Sequence, residues 1–154
     1  MSISIEIQTD DPRWRKIRGL SARLRRSAEL ALERGGAANG SSLTILLTDD
    51  ARLKNLNRDF RGRNKPTNVL SFPSSAREGG YLGDIALAYG VTAGEARGVG
   101  KRFADHAMHL AVHGVLHLLG FDHETSRSAK VMQPLETKIL RELGLADPYA
   151  CEAA

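Results

Sequence analysis

The chain has 154 residues, 42% of them hydrophobic and 26% charged, which is the size and composition of a globular protein with a buried core. A single cysteine, no secretory signal and no membrane-length apolar stretch exclude a disulfide-stapled scaffold and a membrane protein, so we expect one cytoplasmic domain over residues 1–154 with no membrane partner. Residues 1–65 carry 14 Lys and Arg against 8 Asp and Glu, and residues 66–154 carry 8 against 10. This asymmetry suggests a polyanionic partner such as nucleic acid, but a solvated arginine-rich helix face explains it equally well.

The first half of the chain predicts two strands and two helices. Residues 3–8 alternate apolar and polar side chains, as a half-buried strand does. Pro12 opens an amphipathic helix that we expect to end near residues 35–36. Residues 43–48 form a second strand, and Asp49 or Asp50 caps the helix that follows.

The second half predicts two more strands and three helices. The strands are residues 69–72, closed by Pro73, and residues 81–90. The first helix begins near Thr92, the second spans about residues 102–119, and the third spans about residues 126–143. The order of elements is mixed, which predicts the α+β class: a small mixed sheet of about four strands flanked by helices.

All five histidines lie between residues 106 and 123. His106, His109, His113 and His117 recur on one face of a helix that is apolar on nearly every other side. Such a helix is buried, and burying several imidazoles is costly unless they are hydrogen-bonded or bind an ion. The stripe therefore predicts a metal site on a central buried helix, against the alternative of core histidines bonded to backbone carbonyls.

Helical spacing alone does not choose the ligands, because His109 and His113 are as close in sequence as His113 and His117. His109 and His117 are about 12 Å apart along the axis, too far to share one ion. Gly120 is placed to end the helix and return His123 to the pair His113 and His117. We therefore predict one zinc ion per chain, held by His113, His117 and His123. His106 and His109 are left as supporting partners or packing residues.

The spacing H-x-x-x-H-x-x-G-x-x-H equals that of the metzincin peptidases, but Gly114 stands where the catalytic glutamate would be. This glycine argues against hydrolysis of a peptide by the usual route, whereas a zinc-bound water with a pKa of about 7 still supplies hydroxide. Asp122 and Glu124 flank the third ligand; they orient the water or the imidazole, or they are solvent-facing loop acids.

Four segments carry a resemblance to a known family: RGRNKPTNVLSFP from Arg61, LGDIALA, HLAVHGVLHLLGFDHE and ELGLADPY. Together they resemble the bacterial YbeY family of zinc-dependent, single-strand-specific endoribonucleases. The resemblance implies activity on ribosomal RNA in 16S maturation and ribosome quality control. Its implied partners are the small ribosomal subunit and ribosomal or assembly proteins. It also implies zinc at His113, His117 and His123 and a functional arginine at Arg61.

The residues themselves suggest roles around the site. A guanidinium presents a planar fork to phosphate oxygens, so Arg61 is expected to stabilise the scissile phosphate. Ser71 is a candidate polar contact, and Thr67 and Asn68 shape the loop before the strand. Asp84 is a charge in an apolar strand that either supports a ligand imidazole or pairs with an arginine.

The hypothesis is a cytosolic zinc endoribonuclease in which zinc-bound water or hydroxide attacks the phosphodiester. Two rivals belong to other classes. One is a ribosome-assembly binding factor with a structural zinc, and the other is a divergent metallopeptidase-like hydrolase, against which Gly114 argues.

Overall fold

The computed structural model describes residues 2–63, 67–75, 78–122 and 124–146. Its strands are β1 (Ser4–Thr9), β2 (Ser42–Thr48), β3 (Val69–Pro73) and β4 (Tyr81–Ala88). Its helices are α1 (Leu20–Arg34), α2 (Asp50–Arg61), α3 (Tyr89–Gly98), α4 (Phe103–Leu118) and α5 (Ser126–Glu142), with short 3₁₀ turns at Pro12–Lys16 and Glu78–Gly80.

The four strands form one mixed sheet in the order β1-β2-β4-β3. β1 is parallel to β2, and β2 is parallel to β4. β3 pairs antiparallel with β4, so that Ser71 lies opposite Ile85 and Phe72 opposite Asp84. The predicted α+β class with about four strands is confirmed, and β3 stands at one edge of the sheet.

The period of two along the strands sends alternate side chains to two different cores. Ile45, Ile85 and their neighbours on one face join the larger core, which they share with α1, α4 and α5. Ala86 and Ala88 on the opposite face join a smaller core with Leu53 of α2. Helices α1 and α4 therefore cover one side of the sheet, with α5 packed on these two helices, and α2 covers the other side.

Helix α4 is the central element, because it packs against α1, α3, α5 and both strands of the β3–β4 pair. It ends as its sequence predicts. Gly120 adopts φ +99°, its N–H donates to the carbonyl of His117, and the N–H of Phe121 donates to the carbonyl of Leu116. These two bonds make a Schellman motif, which turns the chain sharply after His117.

Two predicted helix starts differ from the structure. The helix expected from Pro12 is split, because Gly19 adopts φ +71° and separates a 3₁₀ turn from α1. Helix α3 begins at Tyr89 rather than near Thr92. Its first turn has no cap from its own N-cap side chain, and the carboxylate of Asp50 in α2 accepts the N–H of Val91 at 3.0 Å instead. That cap comes from a distant part of the chain, so local sequence does not reveal it.

Within the described segments, no helix is long and apolar enough to span a membrane.

Candidate metal centre and active site

Two of the predicted ligands meet on α4. The Nε2 atoms of His113 and His117 face each other at 3.0 Å, and the rings lie 4.6 Å apart at an angle of 70°. This contact follows from their i, i+4 spacing, which stacks side chains one helical turn apart. Both rings remain partly accessible on a helix whose other faces are buried.

A buried carboxylate contacts Nδ1 of His113, the ring nitrogen that does not face His117. Glu136 of α5 has no exposed surface, and its Oε2 atom lies 2.8 Å from Nδ1 of His113 and 3.2 Å from Nε2 of His109. A carboxylate accepts hydrogen bonds, so the ring of His113 carries its proton on Nδ1. The lone pair of His113 is then on Nε2, the nitrogen that faces His117.

The two nitrogens fit a shared metal ion. Two imidazoles bound tetrahedrally at about 2.0–2.1 Å would place their nitrogens about 3.3 Å apart, close to the observed 3.0 Å. Neutral imidazole with its lone pair on Nε2 and its Nδ1–H on a carboxylate is the usual state of a zinc ligand.

Two nitrogens alone do not complete a metal site. In the part of the chain that the structure describes, no group of three His, Cys, Asp or Glu side chains is arranged to hold a metal ion. Glu136 does not act as the third ligand, because it lies at the opposite edge of the His113 ring from Nε2. The predicted third ligand, His123, lies outside the described residues, so its role stays a prediction.

The other two histidines of the stripe point to carboxylates. Nε2 of His106 lies 2.9 Å from Oε1 of Glu95, which also accepts a hydrogen bond from the amide of Asn68 at 2.9 Å. Burial lowers the pKa of His106, and this effect outweighs the hydrogen bond to Glu95, which acts in the opposite direction. His109 shares Glu136 with His113. His109 is therefore joined to His113 through Glu136, whereas His106 is held by Glu95, and the supporting or packing role expected of each stays a prediction.

Arg61 reaches the edge strand beside α4. It is the last residue of α2, it is exposed, and its Nη2 donates to the carbonyl oxygen of Ser71 at 3.5 Å. The hydroxyl of Ser71 donates in turn to the carbonyl oxygen of Gly114 at 3.0 Å. Ser71 thus links the arginine to the helix that carries His113, and its part as a polar contact in the cleft stays a prediction.

Gly114 is glycine for a packing reason. A Cβ atom built there would lie 2.9 Å from Cγ2 of Ile85 and 3.3 Å from the hydroxyl of Ser71. Helix α4 therefore sits close against β3 and β4, and this packing leaves no space for a glutamate side chain. The absence of a peptidase-type base at this position is built into the fold.

The remaining acidic candidates lie elsewhere. Asp84 is exposed on the face of the sheet opposite α4, where it contacts the hydroxyl of Tyr81. The suggestion that it supports His113 or His117 is therefore wrong, because the alternation of β4 turns it away from them. Asp122 accepts the N–H of Glu124 at 3.2 Å, and Glu124 is exposed.

Glu136 is the residue that sequence reasoning missed. A signal for it exists on α5, where its position falls between buried residues at helical spacing: Met132, Ile139 and Leu140. A glutamate in the apolar stripe of an amphipathic helix needs a buried partner, and a histidine-rich buried helix elsewhere in the chain offers one.

Fold and site together define an α+β protein with a histidine pair of metal-ligand geometry, oriented by a buried carboxylate beside an edge strand. The chain belongs to the YbeY family, whose sequence model, described as Endoribonuclease YbeY, matches residues 5–144. The resemblance drawn from the motifs is thereby confirmed.

Comparison with individual proteins gives the same family. A protein from Alkalilimnicola ehrlichii named Endoribonuclease YbeY is 47% identical over 141 residues, covering 88% of this chain and 85% of the relative. One of the same name from Paramagnetospirillum magneticum is 45% identical, covering 97% and 98%. The solution structure of TM1509 from Thermotoga maritima superposes with a TM-score of 0.63 at 26% identity, covering 90% of this chain and 88% of that one.

Proposed function

We propose that this protein is a zinc-dependent endoribonuclease that cleaves single-stranded RNA. We further propose that it works as one cytoplasmic domain in the maturation of 16S ribosomal RNA and in ribosome quality control, with the small ribosomal subunit as its partner. Membership of the YbeY family supports the reaction class. The observation that carries the mechanism is the pair of Nε2 atoms of His113 and His117, 3.0 Å apart, with His113 held by Glu136.

His113, His117 and His123 would hold the zinc ion. When bound, zinc supplies a Lewis acid for the phosphodiester and activates water at neutral pH. Glu136 keeps the Nδ1 proton of His113 in place and so presents the Nε2 lone pair towards the ion. Gly114 offers no proton acceptor, which turns the chemistry away from the peptidase route.

Arg61 is the residue that we propose to bind the scissile phosphate. Its guanidinium is always charged, and it lies beside the edge strand, with Nη2 3.5 Å from the carbonyl oxygen of Ser71. From there it would bind a phosphate oxygen and offset the charge that develops on phosphorus-bound oxygens in the transition state. The exposed arginines of α1 would add affinity for the RNA backbone without reading its sequence.

The test is cleavage of a defined 16S precursor by the wild type, Arg61→Ala and His117→Ala, with zinc content measured on each protein. His117→Ala should lose both zinc and cleavage. Arg61→Ala should keep its zinc and lose about 10²–10³ in kcat. Arg97→Ala, an exposed arginine at the end of α3, is the matched control and should behave as the wild type.

Two results would overturn the proposal. Metal-dependent cleavage by His117→Ala in a nuclease-free preparation would remove the proposed site. Full ribosome maturation supported by Arg61→Ala, or by folded protein stripped of metal, would instead favour an assembly factor with a structural zinc.

A further inference from the structure

An exposed aromatic ring lies next to the proposed phosphate-binding arginine. Phe60 is 69% exposed, and of the three large hydrophobic side chains in the described segments that are strongly exposed, it is the aromatic one. The other two are Val99 and Val131. A single exposed apolar side chain is ordinary on a protein surface. Phe60 stands out because it lies beside Arg61 and packs on a second aromatic ring.

The ring of Phe60 is held in place rather than free to rotate into solvent. It packs edge-to-face on Phe72 of β3, with ring centroids 5.4 Å apart and an angle of 65° between the planes. Helix α2 ends directly after it, because Gly62 adopts φ +70°. Phe60, Phe72 and Arg61 line the same open cleft, which lies on the face of the sheet that α2 covers, across the edge strand β3 from the histidine pair.

The charge around this ring selects the kind of partner. Arg52, Arg58, Arg61 and Arg63 are all exposed on α2 or directly after it. Arg58 and Arg52 make exposed ion pairs with Asp59 and Asp10, and the acids Glu6 and Asp84 line the cleft itself. The positive charge beside Phe60 is therefore confined to the side where Arg61 and Arg63 lie. An apolar peptide gains nothing from these guanidinium groups. A nucleotide matches both features, because its base has an aromatic face and its phosphate is an anion.

We propose that Phe60 is a stacking platform for a nucleobase of single-stranded RNA, in a subsite where Arg61 holds a neighbouring phosphate. The inference rests on the proposed function and adds a substrate subsite to it. Paired bases are already stacked on each other and cannot lay a face on Phe60, so the subsite also accounts for selection of single strands. Stacking is tolerant of base identity, so it contributes affinity with little sequence preference.

The experiment measures binding of a fluorescent single-stranded RNA in the His117→Ala background, where the proposed cleavage is absent. Phe60→Ala should weaken binding about 5- to 150-fold, the loss expected for one base stacked on an aromatic ring. Phe60→Trp should restore it, and its added fluorescence should be quenched when RNA binds. Val131→Ala, an exposed apolar residue on α5, is the matched control and should bind as the parent protein.

An RNA with an abasic stretch should bind Phe60→Ala and its parent equally, because it has no base to stack. RNA binding that Phe60→Ala retains in full would overturn this inference alone and would assign the ring to another kind of partner. Failure of the wild type to bind or cleave any RNA would overturn the proposed function as well. Thermal melts of each variant separate loss of the subsite from loss of the fold.

Discussion

At the scale of single residues, Glu136 is the group whose removal should separate metal binding from folding. Glu136→Gln keeps an acceptor for the Nδ1–H of His113 but loses the charge, and Glu136→Ala loses both. Because such supporting groups raise the basicity of a ligand imidazole, we expect zinc affinity to fall about 10-fold in the first variant and up to about 100-fold in the second. Competition with a chelator of known affinity measures both values.

The control for this prediction is Glu142→Gln. Glu142 lies on the same helix but makes an exposed ion pair with Arg34 at 2.8 Å. This variant should bind zinc as the wild type does. In metal-free protein, the ¹⁵N signals of His113 should show a protonated Nδ1 in the wild type and a mixture of tautomers in Glu136→Ala. Unchanged zinc affinity in both Glu136 variants would contradict the orienting role.

The burial of His106 predicts that the folded protein loses stability as the pH falls. Burial lowers its pKa in the fold below the usual 6.5, so the unfolded chain takes up this proton first as the pH falls. The free energy of unfolding therefore decreases as the pH falls below about 6.5, the unfolded pKa, and this loss ends below the lowered pKa of the fold. His106→Gln removes this term, so its melting temperature should fall less between pH 7.5 and pH 5.5 than that of the wild type. Equal decreases in the two proteins would rule out His106 as a source of the acid sensitivity.

At the scale of elements, the close contact of α4 with β3 and β4 makes Gly114 a critical position. Gly114→Ala gains about 1 kcal/mol of helix propensity, but its Cβ meets Ile85 at 2.9 Å, and such overpacking costs about 1–3 kcal/mol. We expect a net loss of up to about 2 kcal/mol in the free energy of unfolding, measured by urea denaturation. Gly94→Ala in α3 is the control: nothing lies within 4 Å of its Cβ, so it should be stabilising. If the two variants have the same free energy of unfolding, α4 does not pack against β3 and β4 as closely as the contact at Gly114 indicates.

Local pattern predicted the elements well, because the periods of two and of 3.6 residues are properties of the chain itself. The four strands, the buried histidine helix and its end at Gly120 follow from that pattern, although the strand expected over residues 81–90 ends at Ala88. Features that depend on a contact with a distant segment of the chain could not be predicted from that pattern. The cap on α3 comes from Asp50, the partner of His113 comes from Glu136, and the face taken by Asp84 depends on which side of the sheet α4 covers.

At the scale of the whole molecule, the candidate site is assembled from segments far apart in sequence. Helix α4 supplies the histidines, α5 the buried carboxylate, α2 the arginine, and β3 joins the arginine to α4. Helix α1, which packs on α4, presents its basic residues to solvent: Arg23, Arg25 and Arg26. The charge asymmetry seen in the sequence thus becomes an exposed basic face on the helix next to α4.

The dependence of RNA binding on salt distinguishes a working basic face from a merely solvated one. Each phosphate contact to single-stranded nucleic acid contributes about −0.7 to the slope of log K against log salt. If the three α1 arginines contact RNA, replacing them together by glutamine should make the slope less steep by about 2. Replacing Arg97, Arg127 and Arg141, exposed residues of the acidic half, changes net charge equally and should leave the slope almost unchanged. Equal slopes for the wild type and the α1 variant would mean that this face serves solubility, and that the RNA is held by the cleft beside Arg61 alone.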